Sequence, residues 1–274
     1  MSSPKHRMTL AVLFASLLAA CPRHSAAPRS AGAGSSLPDP GDALYQIGSL
    51  AAFAAGLFEG PTRYGDLLRH GDLGLGALSP LEGEVIILDG EVWHADVDGA
   101  LRRLPDDART PFAMIKRFAP EQRLSLPASA SLAELVQALD ARIGSPGLFH
   151  ALRLDAVFER LTLRSVPRQS PPYKRVDAVI AQQRIHERER IEGTLVGFRI
   201  PAHVAGTNTP GWHFHFVDRE RRLGGHVLDL RLGPATATLD SSRSLLLMLP
   251  DDPALNTASS AAGDRIDLGG GTSR

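Results

Sequence analysis

Three histidines close together in the chain could hold a metal ion. His213 and His215 lie in the alternating segment 211–217 (GWHFHFV), and His226 follows two glycines a few residues later. In a β-strand, side chains two positions apart share a face, so His213 and His215 project together while the aromatic residues face a core. Three imidazoles suit a divalent transition metal, zinc above all, and a catalytic zinc site keeps one position open for water or substrate. The spacing therefore predicts a three-histidine zinc site.

A polar turn joins the two arms that carry these histidines. Residues 218–222 include both acidic and basic side chains, and Gly224 and Gly225 tolerate backbone conformations that other residues avoid. We predict a β-hairpin of the C-terminal half, with His226 at the start of its second strand. His226 joins the other two only if the register places it opposite His213 or His215, because a slip of one residue turns it to the other face. A bulge at the two glycines would set that register.

A second hairpin carries a carboxylate that could exchange protons. Residues 84–93 form two apolar arms around an Asp-Gly turn, which is a favoured two-residue hairpin connection. This register places Glu84 opposite Ala95 and on the same face as Ile86 and Trp93. Such neighbours would desolvate the carboxylate and raise its pKa toward that of a useful proton donor. The alternative is a strand-end glutamate that lies in water.

Other interpretations of the histidines stay open on the spacing alone. A histidine on a strand is usually a surface residue or a hydrogen-bonded core residue, and a His-X-His pair by itself is a weak metal signal. Cupin barrels carry a His-X-His followed a few residues later by a glutamate, and Glu220 lies in that range. A cupin-type metal oxygenase is therefore a further hypothesis, although the second cupin motif is missing downstream.

The elements that must position these residues belong to a chain with an ordinary globular composition. The chain has 274 residues, 43% of them hydrophobic, which is enough for one large domain or two small ones. Its formal net charge is zero with both signs interspersed, so nothing favours nucleic acid as a partner.

The N-terminus is typical of an export signal. Basic residues at 5–7 precede a short apolar stretch that ends in Leu-Ala-Ala-Cys, and Cys21 is the only cysteine of the chain. This order resembles the bacterial lipobox, in which the cysteine is acylated and becomes the new N-terminus; a plain signal peptide is the alternative. We predict a lipoprotein-type signal peptide over 1–21, a Pro/Gly/Ser-rich flexible linker over 22–40, and an exported, membrane-anchored protein.

The remaining patterns predict an α+β fold with two mixed β-sheet domains and flanking helices. We assign 41–166 to an N-terminal α/β sheet domain, 167–252 to a C-terminal metal-binding α/β sheet domain and 253–274 to a loose tail. Helices are predicted from the first leucines through Leu57, from a capping box at Ser131 to Ile143, and over 176–188. Strands are predicted over 152–166 and 194–200, and a buried strand over 245–249. Arg153, Arg160 and Arg164 interrupt the first of these, and their spacing singles out none of them.

Six short motifs together resemble the alpha-acetolactate decarboxylase family over about residues 45–250. They are YQIG at 45–48, HGDLGLG at 70–76, LEGE at 81–84, TLVGF at 194–198, PGWHFHF at 210–216 and GGHVLD at 224–229. The resemblance implies two mixed α/β sheet domains and a zinc ion held by His213, His215 and His226. It also implies catalytic roles for Glu84 in the LEGE motif and for Arg164 on the strand ahead of the proline-rich link.

The resemblance implies zinc-dependent decarboxylation of 2-acetolactate to acetoin and CO2, without an organic cofactor. The expected partners are acetolactate and a membrane reached through a lipid on Cys21, and a homodimer is an assembly that the sequence leaves open. This chain departs from the family at Ala77, where threonine is common, and in lacking any glutamate after Glu220 for the tail position. Asp264 or Asp267 could replace that carboxylate. A lipoprotein that binds zinc or a small hydroxy-keto acid without turnover is therefore the alternative hypothesis.

Overall fold

The computed structural model describes residues 40–251 and 253–256. The predicted signal peptide, Cys21, nearly all of the predicted linker, and Asp264 and Asp267 of the tail lie outside the described residues. Within the described part of the chain, no helix combines the length and the apolar character needed to cross a membrane.

The fold consists mostly of β-sheet, with few and short helices. The first strands are β1 (Leu44–Ile47), β2 (Thr62–Arg63), β3 (Leu73–Leu78), β4 (Glu82–Leu88), β5 (Glu91–Ala95), β6 (Leu101–Arg103), β7 (Arg109–Thr110) and β8 (Ala113–Lys116). The others are β9 (Gln122–Leu126), β10 (Phe149–Ser165), β11 (Arg184–Ile200), β12 (Gly211–Asp218), β13 (Gly224–Leu232), β14 (Ala235–Ser242) and β15 (Leu245–Met248). The α-helices are α1 (Leu50–Ala54), α2 (Tyr64–Leu67), α3 (Leu132–Asp140) and α4 (Val176–Ile180). Single 3-10 turns cover Pro40–Asp42, Leu68–His70, Ala202–Val204 and Pro253–Asn256.

Two large sheets account for most of the described residues. The first has seven strands in the order β15-β1-β8-β3-β4-β5-β6, and only its β1–β15 pair is parallel. The second has the order β11-β12-β13-β10-β14-β9, and β11 also pairs with β10. Strands β10 to β13 thus close on themselves into a small barrel. Because all pairings of the second sheet are antiparallel, the prediction of two mixed sheets is right only for the first.

The sheets do not follow the predicted domain boundary at residue 166. β9 and β10 precede that boundary but belong to the second sheet, and β15 follows it but returns to the first. The packing of the core follows the two sheets and not the predicted boundary. Alternate residues of the barrel strands, such as Leu161, Phe214 and Phe216, pack inside the barrel, while Val196, Phe198 and Val217 on its outer face pack against the first sheet.

Two predicted helices are wrong over part of their length. The segment from Leu44 begins as strand β1, and only Leu50–Ala54 is helical, with Ser49 as its N-cap. β1 lies between β8 and β15, so pairing with distant segments overrides the local leucine spacing. The predicted helix over 176–188 ends at Ile180. β11 begins at Arg184, because the charged residues of this segment pair with β10 over nearly its whole length.

The other predicted elements agree better with the structure. The hairpin over 84–93 has the predicted register, and Ser131 is the N-cap of α3, with its hydroxyl accepting from the Glu134 amide at 3.2 Å. β15 forms as predicted but is not buried. It is an edge strand, so alternate side chains face solvent, and Leu246 and Met248 are 40% and 46% exposed.

Candidate metal centre

The strands β12 and β13 bring the three histidines to one face. His215 pairs directly with His226 across the ladder, which confirms the register on which the shared site depends. Trp212, Phe214 and Phe216 point into the barrel core, so the histidines between them point outward, toward the first sheet. His213 lies two residues before His215 on that same face.

The turn between the two strands is held by one carboxylate. Asp218 Oδ1 accepts hydrogen bonds from the backbone amides of Arg222 and Leu223 at 2.7 and 2.8 Å. The predicted bulge at Gly224-Gly225 is wrong for this ladder, which is regular there. The β10–β13 ladder has two irregularities instead, and in the one closer to His226 Thr162 pairs with Asp229 while the next residue of β10 pairs with Val227.

The nitrogens of the three rings converge on one point. His213 Nε2 lies 3.2 Å from His215 Nε2 and 3.0 Å from His226 Nδ1, and all three ligand atoms lie within 4.8 Å of one another. Two nitrogens bound to one zinc ion at about 2.0–2.1 Å with tetrahedral angles would be about 3.3–3.4 Å apart. The observed separations are close to this value, so the three residues could hold a metal ion.

Hydrogen bonding and burial give these rings the lone-pair direction and the charge state that metal ligands need. His215 Nδ1 donates to the Val85 carbonyl of β4 at 2.9 Å, which leaves the lone pair of Nε2 directed at the site. Burial, with the nearby Arg164 charge, lowers the pKa of His213 to about 3. Burial and the neighbouring His213 lower the pKa of His215 well below its ordinary value. Both imidazoles are therefore neutral at pH 7, the form that binds metals.

Arg164 reaches the site because β10 pairs with β13. It lies directly opposite His226 in the ladder, so Arg164, His226 and His215 form one row across three adjacent strands. Its side chain is almost fully buried, and Nη1 lies 3.8 Å from Glu84 Oε1. The other two candidate arginines lie elsewhere: Arg153 pairs with Asp89 and Asp155, and Arg160 pairs with Asp229.

Glu84 enters the site from the first sheet. It pairs with Ala95 as predicted, is only 9% exposed, and its Oε2 lies 3.5 Å from His215 Nε2. Burial raises the pKa of Glu84 to about 7, although the Arg164 charge opposes this shift. The alternative of a solvated strand-end carboxylate is therefore wrong. A carboxyl group that titrates near neutrality can give or take a proton under ordinary conditions.

These five residues line an apolar cavity of about 530 Å³, a volume that includes its open mouth. Its other walls come from β3, β8, α1 and α4, and from the residues just before β4, just before β8 and just after β10. They consist of Phe53, Leu75, Gly76, Ala77, Leu81, Phe112, Met114, Val166, Val176 and Ile180. The lining residues on α1 and α4 escaped the sequence analysis, because only the tertiary fold brings these two short helices beside the histidines. Glu220, the carboxylate of the cupin hypothesis, is exposed in the β12–β13 turn.

Comparisons with known proteins agree with this fold. A model of the alpha-acetolactate decarboxylase family matches residues 44–260. An alpha-acetolactate decarboxylase of Methanosarcina mazei is 40% identical over 76% of this chain and 73% of its own length. One from Raoultella terrigena is 38% identical over 81% and 85%. The crystal structure of alpha-acetolactate decarboxylase from Bacillus subtilis strain 168 superposes with a TM-score of 0.78 at 29% identity, covering 81% of this chain and 94% of that one.

Proposed function

The chain belongs to the alpha-acetolactate decarboxylase family, and we propose that it converts 2-acetolactate into acetoin and CO2 with the help of a zinc ion. The observation that carries this proposal is the convergence of three imidazoles beside a buried Glu84 and Arg164 in the lining of one cavity. His213, His215 and His226 would hold the ion.

The substrate defines what the site must do. Acetolactate is a β-keto acid with a tertiary hydroxyl beside the ketone, so breaking the bond to the carboxylate leaves an electron pair that moves into the carbonyl. The product is an enediolate, and adding one proton to its carbon gives acetoin. When bound at the three histidines, zinc would supply a Lewis acid for this developing negative charge. No organic cofactor is needed, because the ketone accepts the electrons.

Arg164 is suited to orient the anionic substrate. Its guanidinium is buried beside His226, and a planar fork of N–H donors can bind a carboxylate or two oxygens of an enediolate at once. The apolar cavity strengthens that interaction, because few water molecules compete for the donors. We therefore assign to Arg164 the binding of the carboxylate before CO2 leaves.

Glu84 is suited to deliver the proton. Its pKa of about 7 means that a large part of the enzyme carries a proton on this carboxyl at neutral pH. Glu84 comes from the opposite sheet to the histidines, so it would protonate the enediolate from one side only. This arrangement would favour one enantiomer of acetoin.

The direct test is acetoin release from racemic acetolactate by the purified full chain, with zinc content measured on the same sample. The proposal expects one zinc per chain and catalysed release of acetoin. One bound zinc without any turnover would instead favour a lipoprotein that captures metal or a hydroxy-keto acid. Iron in the protein with consumption of oxygen would support the oxygenase hypothesis.

We propose in addition that the protein is exported and anchored through a lipid on Cys21. The support is the order of residues 5–21 alone, with a basic start, an apolar stretch and Leu-Ala-Ala-Cys. Metabolic labelling with a fatty acid should mark the chain, and Cys21→Ala should abolish the label. A homodimer also stays a prediction, which light scattering of the detergent-purified chain would test.

A further inference from the structure

The backbone groups on both sides of Glu84 each make a hydrogen bond to another part of the fold. The Val85 carbonyl accepts a hydrogen bond from His215, and the Gly83 amide donates to the Val166 carbonyl at 2.9 Å. Just before them, the Glu82 carbonyl lies 2.9 Å from Nε2 of His94, a fully buried residue of β5 that does not touch the cavity. The backbone on both sides of Glu84 is thus attached to neighbouring strands.

Gly83 is the point at which this segment could move. Its φ of +61° lies in the left-handed region, and a Cβ there would be 2.0 Å from the Ala95 carbonyl oxygen and 2.7 Å from His94 Nε2. Only glycine fits this position, and glycine is also the residue with the greatest backbone freedom. A rotation at Gly83 would swing the Glu84 carboxyl relative to the histidines.

His94 limits that rotation. A carbonyl oxygen can only accept a hydrogen bond, so Nε2 of His94 must carry its hydrogen and Nδ1 must be the bare nitrogen. Nδ1 is buried and has no hydrogen-bond partner among the described residues. A buried nitrogen without a partner lowers the stability of the fold, and an apolar residue at position 94 would avoid that cost. The hydrogen bond to the Glu82 carbonyl is therefore the interaction that an imidazole adds here.

We propose that His94 is a positioning residue for proton delivery: its hydrogen bond to the Glu82 carbonyl fixes the left-handed turn at Gly83 and thereby aims the Glu84 carboxyl at the substrate. This inference rests on the proposed function. It assigns to a buried histidine outside the cavity a role in the rate of the reaction and in the stereochemistry of the product.

The test compares four variants of the full chain, each loaded with zinc. Three of them replace His94. His94→Gln can place an amide N–H near the position of Nε2, whereas the side chain in His94→Asn is too short and the one in His94→Leu has no donor. Val92→Ala is the matched control, because Val92 is buried on the same face of β5 but packs in a different cluster from the site. For each variant, kcat, KM, zinc content and the enantiomeric ratio of acetoin are measured.

We expect His94→Leu and His94→Asn to lower kcat by about 10- to 100-fold, with little change in KM or zinc content, because small displacements of a reacting group cost this much. Both should also lower the enantiomeric purity of acetoin, and His94→Gln should restore rate and purity. Val92→Ala should lower the melting temperature without changing the enantiomeric ratio.

Two results would overturn the inference. One is a wild-type rate and enantiomeric ratio in His94→Asn, and the other is an equal loss in His94→Gln and His94→Asn. The polar Gln and Asn variants keep the comparison valid if His94→Leu fails to fold. Failure of the unaltered chain to release acetoin would instead overturn the proposed function, and this inference with it.

Discussion

Replacing Glu84 by glutamine tests the proposed proton donor most sharply. The substitution keeps the size of the side chain and removes the group that titrates near neutrality. Because Glu84 is 9% exposed, bulk water has little access to the position from which it would replace the lost donor. General acid catalysis by one residue contributes about 10²- to 10⁴-fold in rate. At about 1.4 kcal/mol per tenfold change, the barrier should rise by about 3–5 kcal/mol.

The assay is acetoin release under saturating acetolactate, with zinc measured on the same protein. Zinc binding should survive Glu84→Gln, because the proposed ligands are the three histidines and the Glu84 carboxylate lies 3.5 Å from His215 Nε2. Glu82→Gln is the matched control. It makes the same chemical change two residues earlier, where the carboxylate pairs with Arg168 outside the cavity. We expect its rate to stay within about twofold of the wild type, because this ion pair does not line the cavity and its partner Arg168 is exposed to solvent.

Two results of this experiment would refute the reasoning. If Glu84→Gln kept kcat within threefold of the wild type, Glu84 would not donate the proton. If zinc were lost in step with activity, Glu84 would act as a fourth ligand rather than as an acid.

Two further predictions concern Arg164 and His150. Arg164→Lys should lower kcat/KM by about 10- to 100-fold in steady-state assays with zinc retained, because a point charge cannot replace a two-pronged donor; a change no larger than that of Arg160→Lys, on the same strand, would contradict it. His150 is buried with its ring near Ser241 Oγ and the Ser145 carbonyl, and burial lowers its pKa below the ordinary 6.5. As the pH falls, the unfolded chain therefore binds a proton on His150 before the folded chain does. The part of the free energy of unfolding that depends on neutral His150 is fully present above about pH 6.5 and is lost as the pH falls below that value. Urea unfolding between pH 7.5 and 5 should show this loss, and His150→Gln should reduce the slope; equal slopes would rule out His150 as its source.

The histidine site could be predicted because its signals are local. Residues two apart on a strand share a face in any fold, and a short polar turn leaves few registers for His226. The Asp-Gly hairpin likewise set Glu84 opposite Ala95, as the structure confirms. Each of these statements needs only neighbouring residues.

The rest of the site depends on contacts between distant segments. Arg153, Arg160 and Arg164 look alike in an alternating strand, and only the pairing of Arg164 with His226 separates them. The residues at Leu44–Ile47 show helical spacing but form a strand because β8 and β15 flank them. Local patterns contain no information about such partners, so the resemblance to a family chose Arg164 where the periodicity could not.

The most direct test of the account is the position of the metal. Crystals of the zinc-loaded protein, measured at the zinc absorption edge, should show one anomalous peak about 2.0–2.1 Å from His213 Nε2, His215 Nε2 and His226 Nδ1. Acetoin production should disappear when His226→Ala removes that peak. A peak elsewhere in the molecule, or full activity without any peak at these nitrogens, would contradict the account.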